Sequence, residues 1–121
     1  VTGVALDQQY RPVAVEFTSV PATELPERFV LSQNYPNPFN PETTISFAIG
    51  SDFRGGLVKL EIFDVLGQLV DVVWEGPLTP GQYQATWDGR DGAGRSVASG
   101  VYLYRLRSEA DFLIRRMVLV R

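Results

Sequence analysis

Three prolines crowd the run Asn34, Tyr35, Pro36, Asn37, Pro38, Phe39, Asn40, Pro41, and this run limits the fold more than any other stretch. Each proline fixes its own φ and removes a backbone donor. Each also pushes the residue before it towards extended conformations, so Tyr35, Asn37 and Asn40 are poorly suited to a helix. Nor can the run be a central strand, since it cannot donate to a ladder on both sides. It reads as a stiff, irregular connector. Tyr35 and Phe39 give it two large apolar side chains, which predicts that it is docked on the end of a core with both rings as anchors.

What surrounds this connector differs on its two sides. Residues 1–28 are weakly patterned: Val13, Val15 and Phe17 alternate with Ala14 and Glu16, then Pro21 and Pro26 break the run. This part reads as a linker or the tail of an upstream domain, with an extra edge strand on the following domain as the competing reading. Residues 29–121 read as uninterrupted β-structure. Phe29 to Gln33 suits a short strand. Ile45, Phe47 and Ile49 alternate with Thr44, Ser46 and Ala48. Val58, Leu60 and Ile62 alternate with Lys59, Glu61 and Phe63, and Gly67 supplies a tight reversal before Leu69 to Trp74. Tyr83, Ala85 and Trp87 alternate again after the turn-rich stretch Glu75 to Gly81. Val101 to Leu106 is apolar on both faces, which predicts a strand buried on both sides. Phe112 to Val120 forms the last strand, interrupted by Arg115 and Arg116. No segment keeps a helical period. About seven short strands at roughly ten-residue spacing predict an all-β, immunoglobulin-like antiparallel β-sandwich.

Composition removes several functions. The chain has 121 residues, no cysteine and no histidine, and a formal net charge of −3. Disulfides, Cys/His zinc sites and Ser-His or Cys-His catalysis are therefore excluded. The mild acidity argues against nucleic acid as a partner. No apolar run is long enough to cross a bilayer as a helix. The first residue is Val1, so the sequence reads as a piece of a longer or processed protein.

Few residues carry chemistry. Asp88 and Asp91 are paired carboxylates in a glycine-rich loop, but Arg90 and the glycines around them read as turn chemistry rather than a glycosidase pair. Arg90 and Arg95 interrupt the ordered oxygen ligands that calcium needs, and the loop lacks the EF-hand pattern. Of the aromatic residues, Trp87, Tyr83 and Tyr102 fall at inward positions. Trp74 ends its strand and is the candidate for an exposed, sugar-stacking ring, and glycan binding in that reading would depend on Trp74 or Tyr104. No cofactor or metal site is expected.

Several motifs in order are similar to one family. Leu31 to Pro41, followed by Thr43 to Phe47, resembles the start of the type A C-terminal sorting domain of the type IX secretion system. Phe63-Asp-Val-Leu-Gly-Gln-Leu-Val70 resembles that family's "YDxxGrxv" segment. Gly100-Val101-Tyr102 resembles its "GxY" motif. Arg116, Met117, Val118, Leu119, Val120 and Arg121 resemble its closing strand, with arginines at 116 and 121 where lysines are usual. The stretch Trp87 to Val97 with Ser99 to Tyr102 also resembles the immunoglobulin-like domain of flagellar hook-capping proteins.

The resemblance implies a non-catalytic module that directs a larger secreted protein across the outer membrane of a Gram-negative cell to its surface. Its implied partners are the secretion machinery, a sortase-like peptidase and surface lipopolysaccharide; the chain itself is expected to be a monomer. Gly100, Tyr102 and residues 116–121 would be the sorting signal, and Asn34 to Pro41 a structural motif. Two other functions fit the same fold: a carbohydrate-binding module and a structural immunoglobulin-like spacer. In the terminal strand, one of the pairs Met117/Leu119 and Val118/Val120 is expected in the core. Arg116 and Arg121 are expected in water, contributing little to stability.

Overall fold

A computed structural model describes residues 28–121 in full, and residues 5–6, 12–13 and 15–18 as backbone. The alternation of Val13, Val15 and Phe17 concerns side chains outside the described residues, as do the prolines at 21 and 26. The strands are β1 (Ala5–Leu6), β2 (Pro12–Val13), β3 (Val15–Thr18), β4 (Val30–Leu31), β5 (Thr43–Ile49), β6 (Leu57–Asp64), β7 (Leu69–Pro77), β8 (Gly81–Trp87), β9 (Gly100–Arg107) and β10 (Phe112–Leu119). No helix occurs among the described residues. β1 and β2 pair with each other. The remaining strands form two antiparallel sheets, in the orders β10-β9-β6-β7 and β3-β8-β5-β4. From β4 to β10 the architecture is the seven-stranded sandwich that the alternating pattern predicts. β3 adds an eighth strand at the free edge of β8, with Val15 opposite Ala85 and Thr18 opposite Gln82.

Alternation decides which residues meet between the sheets. Ile45, Phe47 and Ile49 face Val58, Leu60 and Ile62 across the core, joined by Tyr83, Ala85 and Trp87 and by Tyr102, Tyr104 and Leu106. Met117 and Leu119 complete it, so the terminal strand contributes that pair and not Val118 and Val120. Inward residues on every strand and solvated residues between them are the arrangement of a two-layer antiparallel fold.

Three expectations need correcting. β9 is not buried on both faces. Tyr102, Tyr104 and Leu106 are core, while Val101 is exposed and Leu103, Arg105 and Arg107 are half-buried. The outer face of that sheet instead carries a charged cluster. Glu61 on β6 accepts hydrogen bonds from Arg105 (3.0 Å) and Arg107 (2.8 Å), and the Arg105 guanidinium lies 4.8 Å from the centre of the Phe63 ring. Burial raises the Glu61 pKa, but the hydrogen bonds from Arg107 and Arg105 outweigh it and hold the carboxyl below its usual value. Second, β7 runs beyond Trp74 to Pro77. Two register shifts against β6 let Asp71, Val72 and Val73 all be buried in succession. Third, Trp74 is half-buried, packed on the core with its indole N–H donating to the Gly76 carbonyl.

Candidate functional site

The strand registers bring the separated motifs to one end of the sandwich. β5 begins there at Thr43, opposite Trp87 at the end of β8. β6 ends there at Asp64, opposite Tyr102 near the start of β9. β10 finishes there, with Leu119 opposite Gly100. The proline run returns to this end from β4, bridging Thr44 through Tyr35. The four stretches that carry the sequence signal thus reach the same end of the sandwich.

The proline run is fixed by its two ends and its centre. At its start, the Tyr104 hydroxyl on β9 donates to the Ser32 carbonyl (2.7 Å) and accepts from the Asn34 N–H (2.9 Å). Burial raises the Tyr104 pKa above the ordinary phenol value. The buried Asn34 side chain donates to the Thr43 hydroxyl and to the Pro36 carbonyl. At the centre, Phe39 is buried with its ring centroid 5.7 Å from that of Trp87. Its backbone forms a parallel bridge with Leu119 of β10. Phe39 N–H donates to the Val118 carbonyl, Val120 N–H donates to the Phe39 carbonyl, and Val118 N–H donates to Asn37 Oδ1. The Tyr35–Pro36, Asn37–Pro38 and Asn40–Pro41 peptide bonds are cis. Only one of the two expected anchors is an anchor: Phe39 is buried, whereas Tyr35 is 80% exposed. The bridge at Phe39 sets the inward face, and the side chain of Tyr35 falls outside it.

Tyr102, the tyrosine of the Gly-x-Tyr motif, also works for the fold. Its hydroxyl donates to the Ala98 carbonyl four residues upstream (2.6 Å), and its ring meets Trp87 edge-on at 5.4 Å. A tyrosine at the start of a strand bonded back to the preceding loop is the tyrosine corner of immunoglobulin-like sandwiches. Tyr83 makes the same bond to Thr79 at the start of β8 (2.6 Å). Gly100 has a φ of +156° with open space where a Cβ would stand.

The loop between β8 and β9 closes on the last residue of the sequence. Asp91 folds it by accepting from the N–H groups of Ala93 and Arg95, and Asp88 accepts from the Arg90 N–H. These carboxylate oxygens serve the loop's own turns, and no cluster of three or more His, Cys, Asp or Glu side chains suited to a metal occurs among the described residues. Trp87 Nε1–H donates to the Arg90 carbonyl, and Gly92 N–H ties the loop to Val70 on β7. Arg121 then reaches in: its guanidinium donates to the carbonyls of Gly89 and Val97, and its backbone N–H to the Ser99 hydroxyl. Its side chain is therefore a clasp between the terminus and this loop rather than a charge left wholly to water. Arg116 behaves as expected. Its side chain is exposed and makes no hydrogen bond or ion pair among the described residues, while its carbonyl accepts from Gln33 Nε2 (2.7 Å).

The β6–β7 turn adds something that no single motif announced. Asp64 Oδ1 accepts from Leu66 N–H and Gln68 N–H, and Gly67 takes a φ of +82°, so the turn is held in one shape. That shape displays Val65, Leu66 and Leu69 to solvent, with Leu66 81% exposed. A rigid turn presenting apolar side chains is a feature of binding surfaces. The signal was present in the sequence as three apolar residues flanking a turn glycine. By contrast, neither ring of the sugar-stacking reading stands out in solvent: Trp74 is half-buried against the core and Tyr104 is fully buried.

Residues 39–111 match the family model of the FlgD Ig-like domain. Among solved structures, the chain is similar to PorZ of Porphyromonas gingivalis, described as an essential bacterial surface component of the type IX secretion system. The TM-score is 0.50 and the identity 24%, over 74% of this chain and 11% of that one. It is also similar to dimeric latent PorU of the same organism, with a TM-score of 0.54 and 23% identity over 90% of this chain and 9% of that one. At such identities the likeness is one of fold, and this chain spans a small part of either neighbour. No curated protein matches it.

Proposed function

The chain belongs to the FlgD Ig-like domain family, and from that premise we propose that it is a non-catalytic sorting and attachment module of the type IX secretion system, of the type A C-terminal sorting kind. The observation that carries this reading is the convergence of the proline run, the Phe63–Val70 turn, Gly100–Tyr102 and residues 116–121 on one end of the sandwich. A receptor there would read a folded surface rather than a linear tail. Phe39, Tyr102, Met117, Leu119 and Arg121 build that surface, while Tyr35, Val65, Leu66, Leu69 and Arg116 are displayed on it. The likeness in fold to PorZ and PorU, each much longer than this chain, supports a module carried within larger proteins of that system. Its partners in this reading are the secretion machinery, a sortase-like peptidase and surface lipopolysaccharide, and its destination is the surface of a Gram-negative cell.

The rival reading is a structural spacer, favoured by how many motif residues have a job in the fold itself. Fusing the full chain to a periplasmic reporter in a cell that carries this secretion system separates the two. Sorting predicts reporter at the cell surface, and loss of surface delivery when Val65→Ser, Leu66→Ser and Tyr35→Ser are combined with the melting temperature kept. A folded fusion that stays in the periplasm overturns sorting and favours the spacer.

A further inference from the structure

Strand β10 has two halves with different edges. Val118 shows which residues point their backbone groups away from β9, because both its N–H and its carbonyl bond to the proline run. In an antiparallel strand this orientation alternates, so Phe112, Ile114 and Arg116 also point outward. The half near Val118 is covered by Asn37 and Phe39. In the other half, Asp111 Oδ1 accepts from the Phe112 N–H and Gln33 donates to the Arg116 carbonyl. The Phe112 carbonyl, both backbone groups of Ile114 and the Arg116 N–H have no hydrogen-bond partner among the described residues, although β4 passes nearby, its Leu31 carbonyl accepting from Arg115 Nε. Around them Phe112 is 59%, Leu113 36% and Ile114 48% exposed. An apolar edge with open backbone groups is a template for another strand.

We propose that this edge pairs two copies of the chain, antiparallel, about a two-fold axis through Ile114. The open groups are self-complementary under that operation. Ile114 N–H and carbonyl meet the carbonyl and N–H of the other Ile114. Each Arg116 N–H meets the other copy's Phe112 carbonyl. The two groups already filled, Phe112 N–H and the Arg116 carbonyl, are the ones that would otherwise face each other. The side chains agree with the backbone. On the outer face the Arg116 guanidinium, without a partner among the described residues, lies across from the other copy's Phe112 ring, a cation–π pair, and the two Ile114 side chains adjoin. An isologous contact of this kind is closed and needs no second surface. The pair joins two four-stranded sheets into one. Because the strands run antiparallel, the two proline-lined ends point in opposite directions and stay uncovered. The inference does not rest on the sorting reading, although the paired edge would engage the Arg116 side chain that the sorting reading leaves displayed.

The chain has no cysteine, so an introduced one is the sole thiol. Opposed Cα atoms in an antiparallel pair lie about 5.5 Å apart, within disulfide reach. Mild oxidation of Ile114→Cys is expected to give covalent dimer. Phe112→Cys alone is expected to give none, because its two copies sit four residues apart along the ladder. Phe112→Cys mixed with Arg116→Cys is expected to crosslink. Sedimentation of the unmodified chain should show a concentration-dependent dimer, weakened at least tenfold by Ile114→Lys with unchanged melting temperature. A chain that stays monomeric at every concentration overturns the proposal. So does crosslinking of Phe112→Cys alone as fast as of Ile114→Cys. If Ile114→Lys unfolds the domain, the crosslinking pattern decides.

Discussion

At the proline-lined end of the sandwich, Phe39 is buried against Trp87, and Arg121 bonds to carbonyls of the loop that follows Trp87. At the opposite end, Gly55 and Gly56 lie in open space, Phe53 is half-buried, and the exposed pair Arg28–Asp111 is 3.8 Å apart beside a cleft of about 410 Å³. One end is closed by residues from four distant parts of the chain. The other is built from the turns that link β5 to β6, β7 to β8 and β9 to β10, with Arg28 and Phe29 beside them. The difference teaches that motifs which look like an address are first a way to finish the fold. The proline run and the terminus hold each other, so neither can present a surface without the other.

The largest effect should come from removing residues 117–121. Met117 and Leu119 are buried, and each contributes about 1.5–3 kcal/mol by leaving water. Phe39 would also lose its backbone partners at Val118 and Val120. Against a total stability of about 5–15 kcal/mol, the truncated domain should lose its cooperative thermal transition. An unaltered transition measured by calorimetry would mean that the proline run stays docked without β10.

Single aromatic truncations test the same contrast more finely. Phe39→Ala should cost about 3–5 kcal/mol, as expected for emptying a packed aromatic site. Phe53→Ala at the other end should cost about 1 kcal/mol, since its ring, 5.2 Å from that of Phe29 and packed on the edge of the core, is already partly in water. Equal losses in denaturant titrations would erase the distinction between the ends.

These two rings also show what could be read in advance and what could not. The sandwich was legible because side-chain alternation is local: Ile45, Phe47 and Ile49 declare their face within a few residues. The docking of the proline run was legible from its stiffness and its rings. Which ring docks was not, because the bridge between Phe39 and Leu119 joins residues far apart in the sequence. The same holds for the two arginines. Arg116 and Arg121 look alike in sequence, and only the position of the Gly89 and Val97 carbonyls separates them. Val101 and Leu103 misled for another reason. They are apolar, but the Glu61 cluster and open solvent, not a second layer, lie on their side of β9.

Glycines offer the next test. Gly89 and Gly55 both have positive φ, +71° and +92°, so alanine at either is strained by about 1 kcal/mol or more. At Gly55 nothing stands near the new Cβ. At Gly89 it would lie 2.9 Å from the Pro41 carbonyl oxygen and 2.9 Å from the Arg121 guanidinium. Gly89→Ala should therefore lower the melting temperature clearly more than Gly55→Ala. Gly100→Val should cost more than about 1 kcal/mol, since a β-branched residue is strained at a φ of +156°. A Gly89→Ala variant as stable as Gly55→Ala would show that the clasp gives way freely.

The smallest effects on stability separate folding from sorting. Arg121→Gln removes the charge-assisted bonds to Gly89 and Val97 at a partly solvated site and should cost about 1 kcal/mol. Arg116→Gln removes a side chain with no bond or ion pair among the described residues and should change stability by less than about 0.5 kcal/mol. If the machinery reads the cation itself, Arg116→Gln should reduce surface delivery of a reporter fusion while its melting temperature stays put. Arg121→Gln should reduce both, with Arg121→Lys restoring part of the charge but not the two-carbonyl geometry. Delivery that follows melting temperature across all three variants would assign the terminal arginines to the fold. Delivery lost in Arg116→Gln alone would make Arg116 the charge that is read, held in place by a clasp at Arg121 that only shapes the surface around it.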